Sequence, residues 1–259
     1  MNLGIEGKVA LVAAGSKGIG LAVAKALTKE GCRVSICGRT RQTLDEAAMA
    51  IGAMTHTFVA DVSRLADLEA WVESVESALG PADILVTNTG GPPAGRALDV
   101  TDGQWQAGFD STVMNVVRLT RLVTPGMRAK RWGRIVHITS IAAKEPSPML
   151  AISSTLRMGL CALTQLQASE LAKDGVTVNA VLPGHTMTDR QVHLAEIVAQ
   201  EKDITVEAAL RDRESRLPMG RYATAEEVAS AVAYLCSQPA AYISGVNLLV
   251  DGATSLAPG

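Results

Sequence analysis

The sequence predicts a single α/β domain built on a doubly wound parallel sheet. Three observations predict it. Short aliphatic runs alternate with stretches of helical length along the chain, glycine and proline punctuate the joins, and aliphatic residues supply the apolar content. Of the 259 residues, 47% are hydrophobic but only 3% aromatic, so Val, Ile, Leu and Ala must fill the core. That composition suits parallel strands covered by helices on both faces. A chain of this length buries such a core without staples.

The elements follow in order. Val9–Ala14 is a run of strand length, followed by a glycine-rich turn and a helix over Leu21–Lys29 that Gly31 stops. Val34–Cys37 is the second strand and Thr40–Ile51 the second helix. Thr55–Ala60 leads into Asp61, and a helix over Ser63–Leu79 ends at Gly80 and Pro81. Asp83–Val86 is the fourth strand. A long helix is expected from Thr101 to Lys130, broken near Pro125 and Gly126. Strand Arg134–Thr139, helix Ile152–Lys173, strand Thr177–Leu182, helix Ala225–Cys236 and strand Val246–Val250 complete the alternation. Strands separated by such helices imply parallel pairing through right-handed crossovers. The polar, helix-prone stretch 185–218 departs from the pattern and reads as a lid or substrate insertion. Neither repeat nor linker divides 1–259, so one domain is expected.

A formal net charge of −2 offers no electrostatic footprint for nucleic acid. No segment has the ~18 uninterrupted apolar residues of a membrane span. The opening MNLGIEGKVALV mixes acid and base without an apolar leader stretch, and a cytoplasmic location is expected. Cys32, Cys37, Cys161 and Cys236 show no metal spacing and read as reduced structural thiols. His56, His137 and His193 have no acid or cysteine at ligand spacing, so no metal site is expected; His137 reads as a satisfied residue of its strand.

Ala13-Ala14-Gly15-Ser16-Lys17-Gly18-Ile19-Gly20 joins the first strand to the first helix. Small residues at such a junction let a pyrophosphate approach the backbone, where free N–H groups and the helix dipole hold the anion. A glycine-rich turn between strand and helix reads as the dinucleotide-binding turn of a Rossmann domain. Gly15, Ser16, Lys17, Gly18, Ile19 and Gly20 are therefore candidate cofactor-binding residues. At the end of the second strand an acid would accept the ribose hydroxyls, whereas a base would meet a 2′-phosphate. The chain has Gly38-Arg39 there, with Lys17 expected to converge on the same region, and two cations favour NADP(H).

Several signatures then coincide: Gly18-Ile19-Gly20, Asp61-Val62, Asn88-Thr89-Gly90, Gly133-Arg134-Ile135-Val136 leading to Ser140, Val178-Asn179 with Pro183-Gly184, and Val250-Asp251-Gly252. Spread in this order over nearly the whole length, they make the chain resemble the short-chain dehydrogenase/reductase family. The resemblance implies that Asp61 and Val62 contact the adenine and that Asn88 and Gly90 line the floor under the ribose. It implies that Pro183, Gly184 and Thr188 hold the nicotinamide carboxamide, and that Ser140 orients the substrate. It also implies a homo-oligomer, tetramer or dimer, built through the two long central helices. One departure lies in the turn, where Ala13-Ala14 replaces the family's Thr-Gly. A methyl at Ala14 is tolerated if its φ is negative, Gly15 restores some of the lost freedom, and weaker or slightly displaced cofactor binding is expected, not its loss.

The family's proton donor is a tyrosine followed four residues later by a lysine. The matching positions here are Ser153 and Arg157, and the only tyrosines are Tyr222, Tyr234 and Tyr242. The family's helix asparagine falls on Thr112; Asn115, three residues on, is expected to point elsewhere, since three residues turn a helix by about 300°. A serine hydroxyl is a far weaker acid than a phenol, and arginine does not give up its proton as lysine can. Ser153 and Arg157 share one helix face and can orient ribose hydroxyls or grip a substrate carboxylate. Ser140, Ser153 and Arg157 are the candidate catalytic residues. Three readings remain open. The first is an NADP(H)-dependent oxidoreductase of a small carbonyl or alcohol substrate, its proton coming from water ordered by Ser140 and Ser153, or from His185. The second is a cofactor-binding sensor or inactive partner, and the third a lyase or isomerase using the same pocket.

Overall fold

The computed structural model describes residues 2–52 and 54–256. Its strands are β1 (Val9–Val12), β2 (Arg33–Gly38), β3 (His56–Val59), β4 (Ile84–Thr87), β5 (Gly133–Ile138), β6 (Val176–Pro183) and β7 (Asn247–Val250). They pair in parallel in the order β3-β2-β1-β4-β5-β6-β7. The helices are α1 (Gly18–Lys29), α2 (Arg41–Ile51), α3 (Leu65–Leu79), α4 (Asp102–Phe109), α5 (Asn115–Lys130), α6 (Ala151–Leu171), α7 (Asp189–Lys202), α8 (Val206–Glu214) and α9 (Ala225–Leu235). This is the expected doubly wound architecture, with element ends shifted by a few residues.

Alternation along β1 builds both layers of the core. Ala10 and Val12 face Val23 and Leu27 of α1 and Val228 and Val232 of α9. Val9, Leu11 and Ala13 face Trp71 and Val75 of α3 and Leu119 and Val123 of α5. Strand order runs outward from β1 to β3 on one side and from β4 to β7 on the other. The crossovers reverse between β1 and β4, which opens a crevice at the carboxyl ends of those two strands.

The helix expected from Thr101 to Lys130 is two helices, and the break does not fall at Pro125. Thr101 caps α4: its hydroxyl accepts the Gln104 N–H while the Gln104 side chain accepts the Thr101 N–H. Asp110–Met114 then winds as a π turn into α5. The Ser111 hydroxyl, bonded to the carbonyls of Ala107 and Gly108, serves acceptors that the wider turn would leave without a donor. Pro125 lies inside α5, where the Arg121 carbonyl accepts the Thr124 hydroxyl at 3.5 Å in place of the missing proline N–H. The stretch 185–218 contributes α7 and α8, zipped together through Ala195, Ala199 and Ala209. No helix among the described residues is long and apolar enough to cross a membrane.

His137 of β5 is fully buried between Thr87 Oγ1 at 2.8 Å and Gln167 Oε1 at 2.9 Å. Burial pushes its pKa down to about 4. Its proton is therefore bound between about pH 4 and 6.5 only after unfolding, so stability is complete above that window and falls as pH drops through it. Urea unfolding at pH 7 and pH 4.5 should show this loss, of the order of 2–3 kcal/mol, and a His137→Leu variant should lack that part of it.

Candidate active site

The crevice is floored by the chain between β1 and α1. A Cβ on Gly20 would lie 2.5 Å from the Ala14 carbonyl oxygen and 2.8 Å from Asn88 Nδ2, so only glycine lets α1 start this close to the sheet. Asn88 donates to that carbonyl at 3.3 Å and ties the end of β4 to the turn. No side chain caps α1 at Lys17. The first-turn N–H groups of Gly18, Ile19 and Gly20 thus face the crevice with the positive end of the helix dipole, a fit for a diphosphate. Ser16 Oγ packs beneath the end of β2, 3.0 Å from where a Cβ of Gly38 would stand. Arg39 is exposed just beyond it.

The turn departs from its sequence reading at three residues. Ala14 has φ +46°, not a negative value. Gly15 supplies no compensating freedom; it is there because a side chain would meet Ile36 Cγ2 at 2.7 Å. Lys17 does not converge with Arg39: its ammonium reaches Asp189 at the start of α7, 3.7 Å away. The long lysine arm follows the nearest carboxylate, and that lies across the crevice.

The other candidate cofactor residues lie along the same rim. Asp61 accepts the Ser63 N–H at 2.9 Å and the Ser63 hydroxyl at 2.7 Å. Against burial, which would raise it, these bonds and nearby Arg39 and Arg64 hold its carboxyl below the ordinary range. Val62 is buried in the core on the α3 face. Gly90 is exposed, with open space on its Cβ side. Pro183 ends β6, and Gly184 approaches Asp251 so closely that a Cβ would meet its Cα at 2.7 Å. Thr188 precedes α7, its methyl group 3.4 Å from the Cβ position of Gly18.

α6 sets Ser153 and Arg157 against the end of β5, two residues before Ser140. Ser140 follows β5, its Oγ accepting the Ala142 N–H at 3.1 Å, which leaves the hydroxyl proton free to donate. Arg157 Nε donates to Ser153 Oγ at 3.2 Å and Nη1 to the Ile138 carbonyl at 3.1 Å. The guanidinium is only 7% exposed. Burial, and then the charge of Arg190, push its pKa down to about 10. Beside it a small cavity is lined by Asn88, Thr89, Thr112, Asn115 and Leu160. Asn115 does point into this region, contrary to the helical-wheel expectation, because the π turn changes the phase of α5. Its Nδ2 donates to the Asn88 carbonyl at 3.1 Å. Asn115 Oδ1 and Thr112 Oγ1 are buried there without a partner. His185 stands apart: its ring meets Tyr222 edge-on and lines a separate cavity with Leu217, Met219 and Asp251.

Comparison with known proteins agrees with this geometry. Residues 13–254 match the sequence model described as enoyl-(acyl carrier protein) reductase. A putative ketoacyl reductase of the monensin polyketide synthase from Streptomyces virginiae is 36% identical over 95% of this chain and 96% of its own. The chain belongs to the short-chain dehydrogenase/reductase family. Among solved structures of short-chain reductases, L-sorbose reductase from Gluconobacter frateurii with NADPH and L-sorbose superposes with TM-score 0.92 at 34% identity, over 97% of this chain and 98% of that one. A variant of actinorhodin polyketide ketoreductase with NADPH gives TM-score 0.91 at 34% identity, over 95% and 96%.

Sequence reasoning missed Arg190 and Asn115 as members of this crevice. Arg190 was legible only as one charge in a mixed-sign insertion, and Asn115 only after the π turn is known. The described residues include no group of three or more His, Cys, Asp or Glu side chains placed to hold a metal. Left-handed backbone at an alanine costs about 1–2 kcal/mol, part of which glycine returns to the unfolded chain as entropy. Ala14→Gly should therefore raise stability by about 0.5–1 kcal/mol, whereas Gly20→Ala should lower it by more than about 2 kcal/mol; thermal unfolding of both variants checks the opposite signs.

Proposed function

We propose that the chain is an NADP(H)-dependent oxidoreductase acting on a small carbonyl or alcohol substrate by a non-standard proton path. The observation that carries this reading is the uncapped first turn of α1 at a topological switch point, in a chain of the short-chain dehydrogenase/reductase family. Gly15 to Gly20 would hold the diphosphate, with Arg39 at the 2′-phosphate and Asp61 and Val62 at the adenine. Asn88 and Gly90 would lie under the ribose, and Pro183, Gly184 and Thr188 at the carboxamide. NADPH in the sorbose and actinorhodin reductase structures supports the choice of cofactor, as does a rim cation in place of a carboxylate at Arg39.

When bound, the reduced nicotinamide supplies a hydride to the carbonyl carbon. Ser140, its oxygen already occupied by the Ala142 N–H, directs its proton at the substrate oxygen. Ser153 is fixed by Arg157 in the same way and points its own proton outward. Ser153 and Arg157 stand where the family resemblance leads one to expect tyrosine and lysine. The guanidinium stays charged at neutral pH and stabilises a developing alkoxide, but it does not relay a proton. Water ordered by Ser140 and Ser153 would deliver that proton. The insertion carrying α7 and α8 would act as the lid. Exposed Met158 and Leu166 on α6 favour a homo-oligomer, dimer or tetramer, joined through that helix.

Nicotinamide absorbance at saturating NADPH, read over a panel of ketones and aldehydes, tests the reading. Ser140→Ala should lower kcat by about 100-fold or more, and unchanged turnover in that variant would remove Ser140 from the chemistry. Arg39→Ala should weaken NADPH by about tenfold in calorimetry with NADH nearly unaffected, the loss of one charge-assisted contact.

A further inference from the structure

Two guanidinium groups approach the crevice from different elements, and neither has an acid. Arg157 on α6 lines the cavity beside Asn88 and Thr89. Arg190, in the first turn of α7, lies across the following residues: its Nη2 donates to the Pro92 carbonyl at 2.8 Å, and a Cβ on Gly91 would stand 3.7 Å from its Nε. The Pro92 that Arg190 holds packs beside the turn of α6 that carries Arg157, since a Cβ on Gly108 would meet Ile152, Pro92 and Leu156 within 2.5–3.6 Å. Among the described residues neither forms a salt bridge, although Lys17 and nine other Lys, Arg and His side chains do. Each guanidinium carries five N–H donors. The bonds present use two on Arg157, to Ser153 and Ile138, and one on Arg190, to Pro92.

A second cation beside a buried guanidinium is unfavourable unless something negative sits between them. Arg134, the other buried arginine, spends Nε, Nη1 and Nη2 on the oxygens of Ser237, Gly133 and Gln238, whereas Arg157 and Arg190 keep donors open. We propose that Arg157 and Arg190 together form an anion site for the substrate, so that the natural substrate is an oxo acid whose carboxylate they grip. The position fits the chemistry. Arg157 bonds the carbonyl of Ile138, two residues before Ser140, and holds Ser153 directly. A ketone oxygen between the two serines would therefore place a carboxylate a few bonds away within the guanidinium pair. The open donors offer the paired N–H geometry that a carboxylate takes in bidentate form. Arg190 belongs to the insertion, so the anion would also bond α7 to the wall of the crevice and draw the insertion over the substrate.

This inference rests on the oxidoreductase reading for the position of the carbonyl, and the test separates the two. Calorimetry of the NADPH-loaded protein with pyruvate, acetoacetate and levulinate, each beside its methyl ester, measures the anion site without turnover. Nicotinamide absorbance with the same six compounds measures the reaction. At least one acid should bind or react about 50-fold better than its ester, the worth of a desolvated charge-assisted pair. Arg190→Gln should bring that ratio below about fivefold while the Kd for NADPH and the melting temperature stay nearly unchanged. Arg157→Lys should keep part of the preference, since the charge remains and the fork is lost. Equal treatment of acids and esters in both measurements overturns the proposal. So does an Arg190→Gln variant that weakens NADPH about tenfold and leaves the ratio intact, because the pair would then serve a cofactor phosphate. Acid-selective binding with no hydride transfer keeps the anion site and overturns the oxidoreductase reading instead.

Discussion

The contact between the start of α1 and the mouth of β1 organises the crevice around it. Gly20 has no room for a side chain, because the Ala14 carbonyl and the Asn88 amide occupy the place where one would begin. Asn88 reaches back to the Ala14 carbonyl with its side chain and accepts the Asn115 amide on its own carbonyl. One run of hydrogen bonds thus links the glycine turn to the end of β4 and on to the start of α5. The strained φ at Ala14 belongs to this arrangement: the peptide must turn its carbonyl toward α1 and Asn88, and the left-handed conformation does so.

The fold was legible in the amino-acid sequence because its signals are local. Aliphatic runs, glycine stops and helical periods need no partner to be read, and they place the seven strands to within a few residues. Right-handed crossovers and parallel pairing favour a doubly wound sheet, and the structure supplies the order of its strands. The candidate site was legible where a residue type and its place in a strand–turn–helix junction carry the meaning, as for Gly18, Gly20 and Arg39. Whatever depends on neighbours distant in sequence was not. Pro125 looks like a break until the Thr124 hydroxyl is seen to serve Arg121. Asn115 looks misdirected until Asp110–Met114 widens the helix. Lys17 looks like a partner for Arg39 until α7 brings Asp189 within reach.

Arg157 is held rigidly beside the crevice. Its guanidinium spans from Ser153 to the Ile138 carbonyl, two contacts that hold it flat against the end of β5. In so little water a fixed charge is strongly felt, and arginine keeps its charge where lysine would surrender it. The group is therefore a permanent charge at the edge of the crevice, beside the orphaned oxygens of Thr112 and Asn115.

The placing of β7 at the outer edge of the sheet has a further result. β6 leans on β7 along Ala180–Pro183, and the Val181 carbonyl accepts both the N–H and the hydroxyl of Thr139, one residue before Ser140. Only two strand pairings separate the chain's tail from the serine, whereas four separate it from β1 and the glycine turn. Fraying of β7 would thus reach Pro183 and Gly184 first, then Ser140, and the glycine turn last, so its effect would spread inward along the sheet.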